Sequence, residues 1–167
     1  MPTLESPRLW LRPLALDDAR HFPALFDGDW DALKRTGRMP YPPTEPAVRR
    51  WIGGHLGAAS QAFLVIRKED SKALGSGGFG GTDAVAELGY ALGRAYWGRG
   101  YATEVVRALL DHARSVGLRQ LDAYSFVDNP ASARVLEKAA FDHLGVIERS
   151  YPARGGPRKV WHYRKML

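Results

Sequence analysis

The sequence predicts an α/β domain with a mixed, mostly antiparallel sheet of six or seven strands and about four helices on its two faces. Three observations carry this prediction. Strand-like and helix-like patterns alternate along the chain. Residues 85–92, 102–116 and 119–127 form a strand, helix and strand pattern, a βαβ unit whose outer strands run parallel. The 167 residues suffice for one core and are too few for two, so a single domain over 1–167 is expected.

The predicted strands are short apolar or alternating runs bounded by turn residues. They cover residues 8–14, 62–67, 74–79, 85–92, 118–127, 141–149 and 159–165. The first ends at Pro13, which suits an edge strand because proline lacks the N–H that a strand ladder needs. A turn is predicted at residues 80–83, and the last two strands are expected to form an antiparallel pair.

The helices are predicted from apolar residues at 3.6-residue spacing and from capping residues at their starts. The candidate caps are Asp17 or Asp18, Thr44, and Asp128 or Asn129. The first helix is expected to run to about Phe26, and a shorter helical piece falls within residues 28–43. The longest helix, 102–116, has a clear apolar stripe and stops at Gly117.

Composition narrows the classes of protein. The chain has no cysteine, which excludes disulfides, thiolate metal sites and a cysteine nucleophile. It has no apolar run of membrane-spanning length and no secretory signal pattern at its N-terminus, so we expect a cytoplasmic protein with no membrane partner. The net charge of +6 suggests an anionic partner. Because the basic residues are spread along the chain, no specific nucleic-acid binding is expected.

The most informative segment is the glycine-containing turn within residues 94–104. It follows a predicted strand and opens the longest predicted helix. The N–H groups of a helix start and the helix dipole bind anions, above all phosphates. Gly98 and Gly100 permit close approach to the backbone, and Arg94 and Arg99 add positive charge. The segment therefore predicts a site for a phosphate-bearing cofactor, although an ordinary strand-to-helix turn is an equally open reading of these residues alone.

Two other patterns carry no function. Residues 75–80 match G-x-G-x-x-G, but no helix follows and no acidic residue lies about twenty positions on, so a dinucleotide site is rejected in favour of a tight glycine-rich turn between strands. The five histidines show no metal-ligand spacing, and no metal is expected.

Glu87 is the candidate general base because it lies in an otherwise apolar strand beside the proposed cofactor site. A carboxylate there can accept a proton directly or through water. The alternative is a structural ion pair with an arginine on a neighbouring strand. Glu104, in the first turn of the long helix, is assigned to the helix dipole instead.

The chain resembles the GCN5-related N-acetyltransferase (GNAT) superfamily, closest to the branch typified by the ribosomal-protein acetyltransferases RimJ and RimL. Four segments carry the resemblance, and their spacing fits over almost the whole chain. They are Ser6-Pro-Arg-Leu-Trp-Leu-Arg-Pro-Leu14, Glu87-Leu-Gly-Tyr-Ala-Leu92, Trp97-Gly-Arg-Gly-Tyr-Ala-Thr-Glu104, and Asn129-Pro-Ala-Ser132 through Phe141. The resemblance implies a splay between the fourth and fifth strands, into which acetyl-CoA enters.

The resemblance also implies which residues hold the cofactor. The amides of residues 98–103 would bind the pyrophosphate, and the strand would offer main-chain groups to the pantetheine arm as an added strand does. Asn129 and Ser132 would lie against that arm. The full set of expected cofactor-binding residues is Leu88, Tyr90, Leu92, Arg94, Trp97, Gly98, Arg99, Gly100, Tyr101, Ala102, Thr103, Asn129 and Ser132.

One departure concerns proton transfer. Many relatives have a tyrosine where this chain has Leu136, and that tyrosine protonates the leaving thiolate. Ser132 or water is the candidate to take its place. The resemblance places Trp30, Met39, Tyr41 and Glu87 around the acceptor.

The expected function is acetyl transfer to a primary amine by direct attack, with a peptide or protein N-terminal α-amine or a small-molecule amine as acceptor. A homodimer is compatible with this expectation. Two other readings stay open: a non-catalytic acyl-CoA-binding module, and a basic protein associated with RNA or ribosomes.

Overall fold

A mixed sheet of eight strands forms the centre of the computed structural model, which describes residues 1–57, 59–81 and 85–167. The strands are β1 (Leu4–Glu5), β2 (Leu9–Pro13), β3 (Ser60–Arg67), β4 (Ala73–Gly80), β5 (Ala86–Leu92), β6 (Gln120–Phe126), β7 (Asp142–Tyr151) and β8 (Gly156–Met166). The helices are α1 (Phe22–Phe26), α2 (Trp30–Leu33), α3 (Glu45–Gly53), α4 (Tyr101–Ser115) and α5 (Pro130–Lys138).

The sheet order is β1-β2-β3-β4-β5-β6-β8-β7, and only β5 and β6 pair in parallel. The predicted α/β class, the mixed sheet and the βαβ unit are confirmed. The predicted strand number was one or two too low, because β1 has two residues and is too short to show a period.

The sheet splays between β5 and β6, the fourth and fifth strands of the prediction. They pair only from Ala86 to Leu88 on β5, against Leu121 to Ala123 on β6. Beyond these pairs β5 continues to Leu92 and β6 to Phe126. The two strands therefore separate towards their carboxyl ends, where the loops that precede α4 and α5 begin.

The helix starts follow local capping chemistry. The Thr44 side chain accepts a hydrogen bond from the Ala47 N–H, and the Asn129 side chain accepts one from the Ser132 N–H. The predicted first helix is instead two pieces, a 3-10 segment (Leu16–His21) followed by α1. The Asp18 carboxylate accepts from the Ala15 N–H and from Arg12, which fixes the entry of that segment.

Two apolar cores cover the two faces of the sheet. One packs α4 and α5 against one face, with Leu88, Val105 and Leu136 among its buried members. The other packs α1 to α3 against the opposite face. Successive residues of a strand point to opposite faces, so Glu87 and Tyr90 on β5 face different layers.

The glycine-rich run 75–80 lies inside β4, which confirms the strand predicted over 74–79 and shows that the tight turn predicted for the G-x-G-x-x-G match was wrong. A Cβ on Gly77 would meet Val105 Cγ1 at 2.9 Å, so the glycine lets α4 lie directly on the sheet. Of the turn predicted at residues 80–83, only Gly80 and Gly81 are among the described residues. Within residues 1–57, 59–81 and 85–167, no helix is long and apolar enough to cross a membrane, and no cluster of side chains is suited to a metal ion.

Candidate active site

A pocket of about 310 Å³ occupies the splay. Its walls come from β5, the turn before α4, the first turn of α4, and α5. Phe26, Ala32, Arg35 and Thr36 line it from the α1–α2 side, so the pocket passes through the opening in the sheet. A ligand on the α5 side can therefore meet a second ligand that comes from the α1–α2 side.

The pocket brings together most of the predicted cofactor residues. These are Tyr90, Leu92, Trp97, Gly98, Gly100, Tyr101, Ala102, Thr103, Asn129 and Ser132. Leu88, Arg94 and Arg99 do not line it, and neither do the four predicted acceptor residues, Trp30, Met39, Tyr41 and Glu87. Sequence reasoning missed Arg134, Val135 and Lys138, which lie three, four and seven positions after the lining residue Ala131 and so share its face of α5. It also missed the four lining residues from the α1–α2 side, and the sequence carries no signal that would have identified them.

The start of α4 has the geometry of an anion site. Gly98 and Gly100 have φ of 70° and 79°, in the left-handed region. The Glu104 N–H bonds to the Gly100 carbonyl, and the N–H groups that precede it in the first turn are the ones a helix leaves without an internal partner. No atom lies within 4 Å of the Cβ position of Gly98, so a ligand can approach the backbone there.

The N-terminal segment holds this turn in place. Arg8 donates from Nη1 to the Arg99 carbonyl at 2.9 Å. The Glu104 carboxylate accepts from the Arg8 N–H, Arg8 Nε and the Ser6 hydroxyl at 2.7, 2.8 and 2.6 Å. Burial alone would raise the pKa of Glu104, but the hydrogen bonds from Ser6 and Arg8 hold it below its usual value. Glu104 is thus a structural anchor for the turn.

Arg94 points away from the pocket and pins α2 to the turn. Its guanidinium bonds Asp29 through two contacts of 2.7 Å and lies 3.3 Å from Asp31. The hydrogen bond from Arg94 lowers the pKa of Asp29. The Trp97 indole packs against Arg94, with 5.0 Å between Arg94 Cζ and the centre of the ring. Its Nε1 donates to the Leu92 carbonyl at 2.8 Å.

Two hydroxyl groups meet at the α5 wall of the pocket. The Tyr90 Oη lies 2.8 Å from Ser132 Oγ. Burial raises the pKa of Tyr90 to about 12. Leu136, which stands where many relatives have tyrosine, is 1% exposed and belongs to the core.

Glu87 lies in an ion pair on the sheet face that points towards α1 to α3. Its Oε2 accepts from Arg149 Nη2 at 2.9 Å and lies 3.6 Å from Arg38 Nη2. The carboxylate remains one-third exposed. An arginine partner is therefore present, but it lies on β7, which β6 and β8 separate from β5, and not on a neighbouring strand as the alternative reading expected.

Asp122 is a buried charged residue that sequence reasoning missed. It pairs in register with Glu87 and accepts from Arg164 through two contacts of 2.8 Å, from His162 at 2.6 Å and from Gln120 at 3.1 Å. Burial alone would raise the pKa of Asp122, but these hydrogen bonds outweigh it and lower the pKa to about 2. The available signal was an acidic residue inside an apolar strand.

The segment that precedes α3 packs on the turn between β7 and β8. The Arg154 guanidinium is buried and donates to the carbonyls of Leu33, Thr36 and Met39. Met39 is buried as well, whereas Trp30 and Tyr41 form an exposed aromatic pair with ring centroids 4.9 Å apart. The predicted acceptor residues thus divide between the core and the surface.

The splayed sheet, and the pocket that passes through it beside the start of α4, are the features expected of a transferase of the acyl-group class. The family model described as Acetyltransferase (GNAT) domain matches residues 8–142, which is more than half of the chain. The chain belongs to the GNAT acetyltransferase family, as the resemblance predicted, and is an N-acetyltransferase.

Two relatives that align over most of the chain support this membership. The chain is 30% identical over 162 residues to the uncharacterized N-acetyltransferase p20 of Bacillus licheniformis, covering 93% of this chain and 90% of the relative. It is 28% identical to the uncharacterized N-acetyltransferase YoaA of Bacillus subtilis, covering 93% and 92%.

Solved structures share the fold over the whole chain. RimL, a ribosomal L7/L12 alpha-N-protein acetyltransferase in complex with coenzyme A, aligns with a TM-score of 0.83 at 20% identity, covering 99% of this chain and 98% of that one. A Salmonella typhimurium acetyl transferase that modifies the N-terminal serine of L7/L12 aligns with a TM-score of 0.85 at 18% identity, covering 99% of each chain.

Proposed function

We propose that this chain transfers the acetyl group of acetyl-CoA to a primary amine, foremost the α-amine of a peptide or protein and otherwise that of a small molecule. The observation that carries the proposal is the pocket through the splay, which has a helix N-terminus on its wall and openings towards both layers. Two neighbours in fold are described as acetylating L7/L12, one at an N-terminal serine, which supports an α-amine acceptor. We also propose that the protein is cytoplasmic, as the sequence analysis expected.

The residues present fit the cofactor. The open space above Gly98 and the first-turn N–H groups of α4 suit a pyrophosphate. Arg134 and Lys138 add positive charge to the α5 wall, and Asn129, which also lines the pocket, is the residue that we propose to contact the pantetheine arm. Bound there, acetyl-CoA supplies a thioester whose acetyl group passes to the amine while the thiol leaves.

We assign the hydroxyl pair of Tyr90 and Ser132 a role at the sulfur atom of coenzyme A that leaves when the acetyl group is transferred. With a pKa of about 12, Tyr90 keeps its proton at neutral pH and can donate to Ser132 Oγ. Ser132 is then free to direct its own proton into the pocket that it lines. Both hydroxyl groups are far weaker acids than a thiol near 8.5, so Ser132 would stabilise the leaving sulfur by donating a hydrogen bond while Tyr90 orients the serine hydroxyl, and the thiolate takes its proton from water.

Ser132→Ala is expected to lower kcat about ten- to hundredfold, since a hydrogen bond to a charged group contributes about 1.5–3 kcal/mol. Tyr90→Phe should reproduce most of this loss with little change in the Kd for acetyl-CoA. Thiol release measured under saturating cofactor gives kcat. Ser115→Ala, at the far end of α4, is the control. An unchanged kcat in Ser132→Ala would remove Ser132 from the mechanism.

The acceptor sets how much help a base must give. A lysine amine with a pKa near 10.4 is about one part in 2,500 neutral at pH 7, whereas an α-amine near 7.8 is roughly one-tenth neutral. An α-amine therefore gains at most about tenfold from a base that removes its proton. Glu87 is the proposed base, and its ion pair with Arg149 defines the competing structural role.

Glu87→Gln is expected to lower kcat/KM about tenfold at pH 7 for an α-amine acceptor, and the loss should shrink above pH 8 as the free amine loses its own proton. The pH profiles of the variant and the wild type give this comparison. A loss that is equal at every pH, with a lower Tm, would instead assign Glu87 to structure.

The proposal is tested first by calorimetric titration with acetyl-CoA at moderate salt. Micromolar binding followed by thiol release with amine acceptors is the expected result, and the assay is clean because the chain has no cysteine. Binding without turnover on any amine would favour the acyl-CoA-binding module. No binding up to millimolar cofactor, together with salt-sensitive RNA binding, would favour the RNA-associated protein.

A further inference from the structure

The α1–α2 side of the pocket carries more positive than negative charge. The Glu87 carboxylate faces two guanidinium groups, those of Arg149 and Arg38. Arg38 is 61% exposed, so its charge is available to a ligand. One anion beside two cations leaves an excess of one positive charge in this cluster, which does not line the pocket itself but lies next to it, since Arg38 is two positions along the chain from the lining residue Thr36.

A second cluster of charges lies around α2. Asp29 and Asp31 are in ion-pair contact with Arg94, Lys34 and Arg35, and the formal charges balance once Asp27 at the end of α1 is counted. Arg35 contributes most directly because it lines the pocket. Its Nη1 donates to Asn129 Oδ1 at 3.2 Å, which places the guanidinium across the gap between α2 and α5.

A third cation stands behind the pocket wall. Arg154 donates to the Thr36 carbonyl at 2.8 Å and to the Thr36 hydroxyl at 3.0 Å, and Thr36 lines the pocket. Burial, together with the charge of Arg158, lowers the pKa of Arg154, while carbonyl and hydroxyl oxygens satisfy its donors. Its charge therefore adds to the positive potential on this side.

We propose, building on the proposed acetyl transfer, that the acceptor carries a carboxylate close to its reacting amine. An acceptor whose only charge is its ammonium is repelled by this wall. A carboxylate a few atoms away is attracted to Arg35 and Arg38 and presents the amine at the gap. The sources of this chemistry are a peptide N-terminus followed by Asp or Glu, and a free amino acid.

An alternative explanation is that Arg35 and Arg38 bind the phosphate groups of the cofactor. The start of α4, which suits the pyrophosphate, belongs to the layer on one face of the sheet, whereas Glu87 points to the other face. An effect of Arg38 on the acceptor without an effect on acetyl-CoA binding therefore separates the two explanations.

The test compares matched acceptors at saturating acetyl-CoA by thiol release, with rates expressed per neutral amine. Ser-Glu-Glu amide is compared with Ser-Gln-Gln amide, and free serine with serinamide, so that the two arms separate the peptide from the amino acid source. We expect the carboxylate-bearing member of at least one pair to have about tenfold higher kcat/KM, and the preference to shrink at 0.5 M salt.

Arg38→Gln should reduce that preference severalfold and leave the Kd for acetyl-CoA within twofold. Arg114→Gln, which removes an exposed arginine at the end of α4, should leave the preference unchanged. Equal kcat/KM values within both pairs, or a preference for the neutral members, would overturn the inference while leaving acetyl transfer intact. Absence of turnover with all four acceptors and with lysine-containing peptides would count against the proposed function itself.

Discussion

Asp122→Ala is expected to lower the free energy of unfolding by about 1.5–3 kcal/mol, because it removes the buried acceptor of charge-assisted hydrogen bonds and leaves a partly exposed guanidinium without its partner. Asp122 is 4% exposed and accepts hydrogen bonds from Arg164 and His162 on β8. Urea unfolding followed by circular dichroism measures the change. Asp111→Ala is the control, since Asp111 pairs with Arg114 in an exposed contact and should cost well under 1 kcal/mol. Equal effects of the two substitutions would contradict this account.

The same carboxylate should make the fold sensitive to acid. Its pKa is about 2 in the folded chain, against 3.8 for an ordinary aspartate. The folded state therefore binds this proton less tightly than the unfolded chain, so the contribution is complete above about pH 4 and is lost as pH falls towards 2. A shift of this size corresponds to about 2 kcal/mol. Asp122→Asn keeps the shape of the side chain and should flatten the fall in stability between pH 4 and 2.

Local patterns were sufficient for the elements that position the site. The apolar stripe of 102–116 gave α4 to within one residue at each end, and Thr44 and Asn129 were correctly read as caps. These features depend on neighbours within four positions along the chain. The two-residue β1 and the break between the 3-10 segment and α1 were missed, because neither is long enough to carry a period.

The partners of the charged residues could not be read from sequence. Glu87 meets Arg149, 62 positions away, and Asp122 meets Arg164, 42 positions away. Such pairs depend on the order of β5, β6, β8 and β7 in the sheet, which no local pattern specifies. The same holds for Arg35, which lines the pocket because α2 packs beside the turn before α4, where Asp29 pairs with Arg94.

Gly98→Ala is expected to weaken acetyl-CoA binding by about ten- to hundredfold, since each charge-assisted hydrogen bond that a ligand loses costs about 1.5–3 kcal/mol. Alanine at a φ of 70° is strained, and its Cβ would occupy the open space through which the ligand approaches the backbone. Calorimetric titration gives the Kd, and the sign of the effect is the same whichever acceptor the enzyme uses.

Strain alone would give a similar result, and the chain offers a matched control for it. Gly117, at the other end of α4, has a φ of 82° and no atom within 4 Å of its Cβ position. Gly117→Ala should therefore lose about the same 1–2 kcal/mol of stability as Gly98→Ala. A ligand that binds only the folded state stabilises it by about 2.7 kcal/mol at a hundred times its Kd. Acetyl-CoA should therefore raise the Tm of Gly117→Ala as much as it raises the Tm of the wild type. It should raise the Tm of Gly98→Ala far less. Equal rises in Tm for the two variants would mean that the start of α4 does not hold the cofactor.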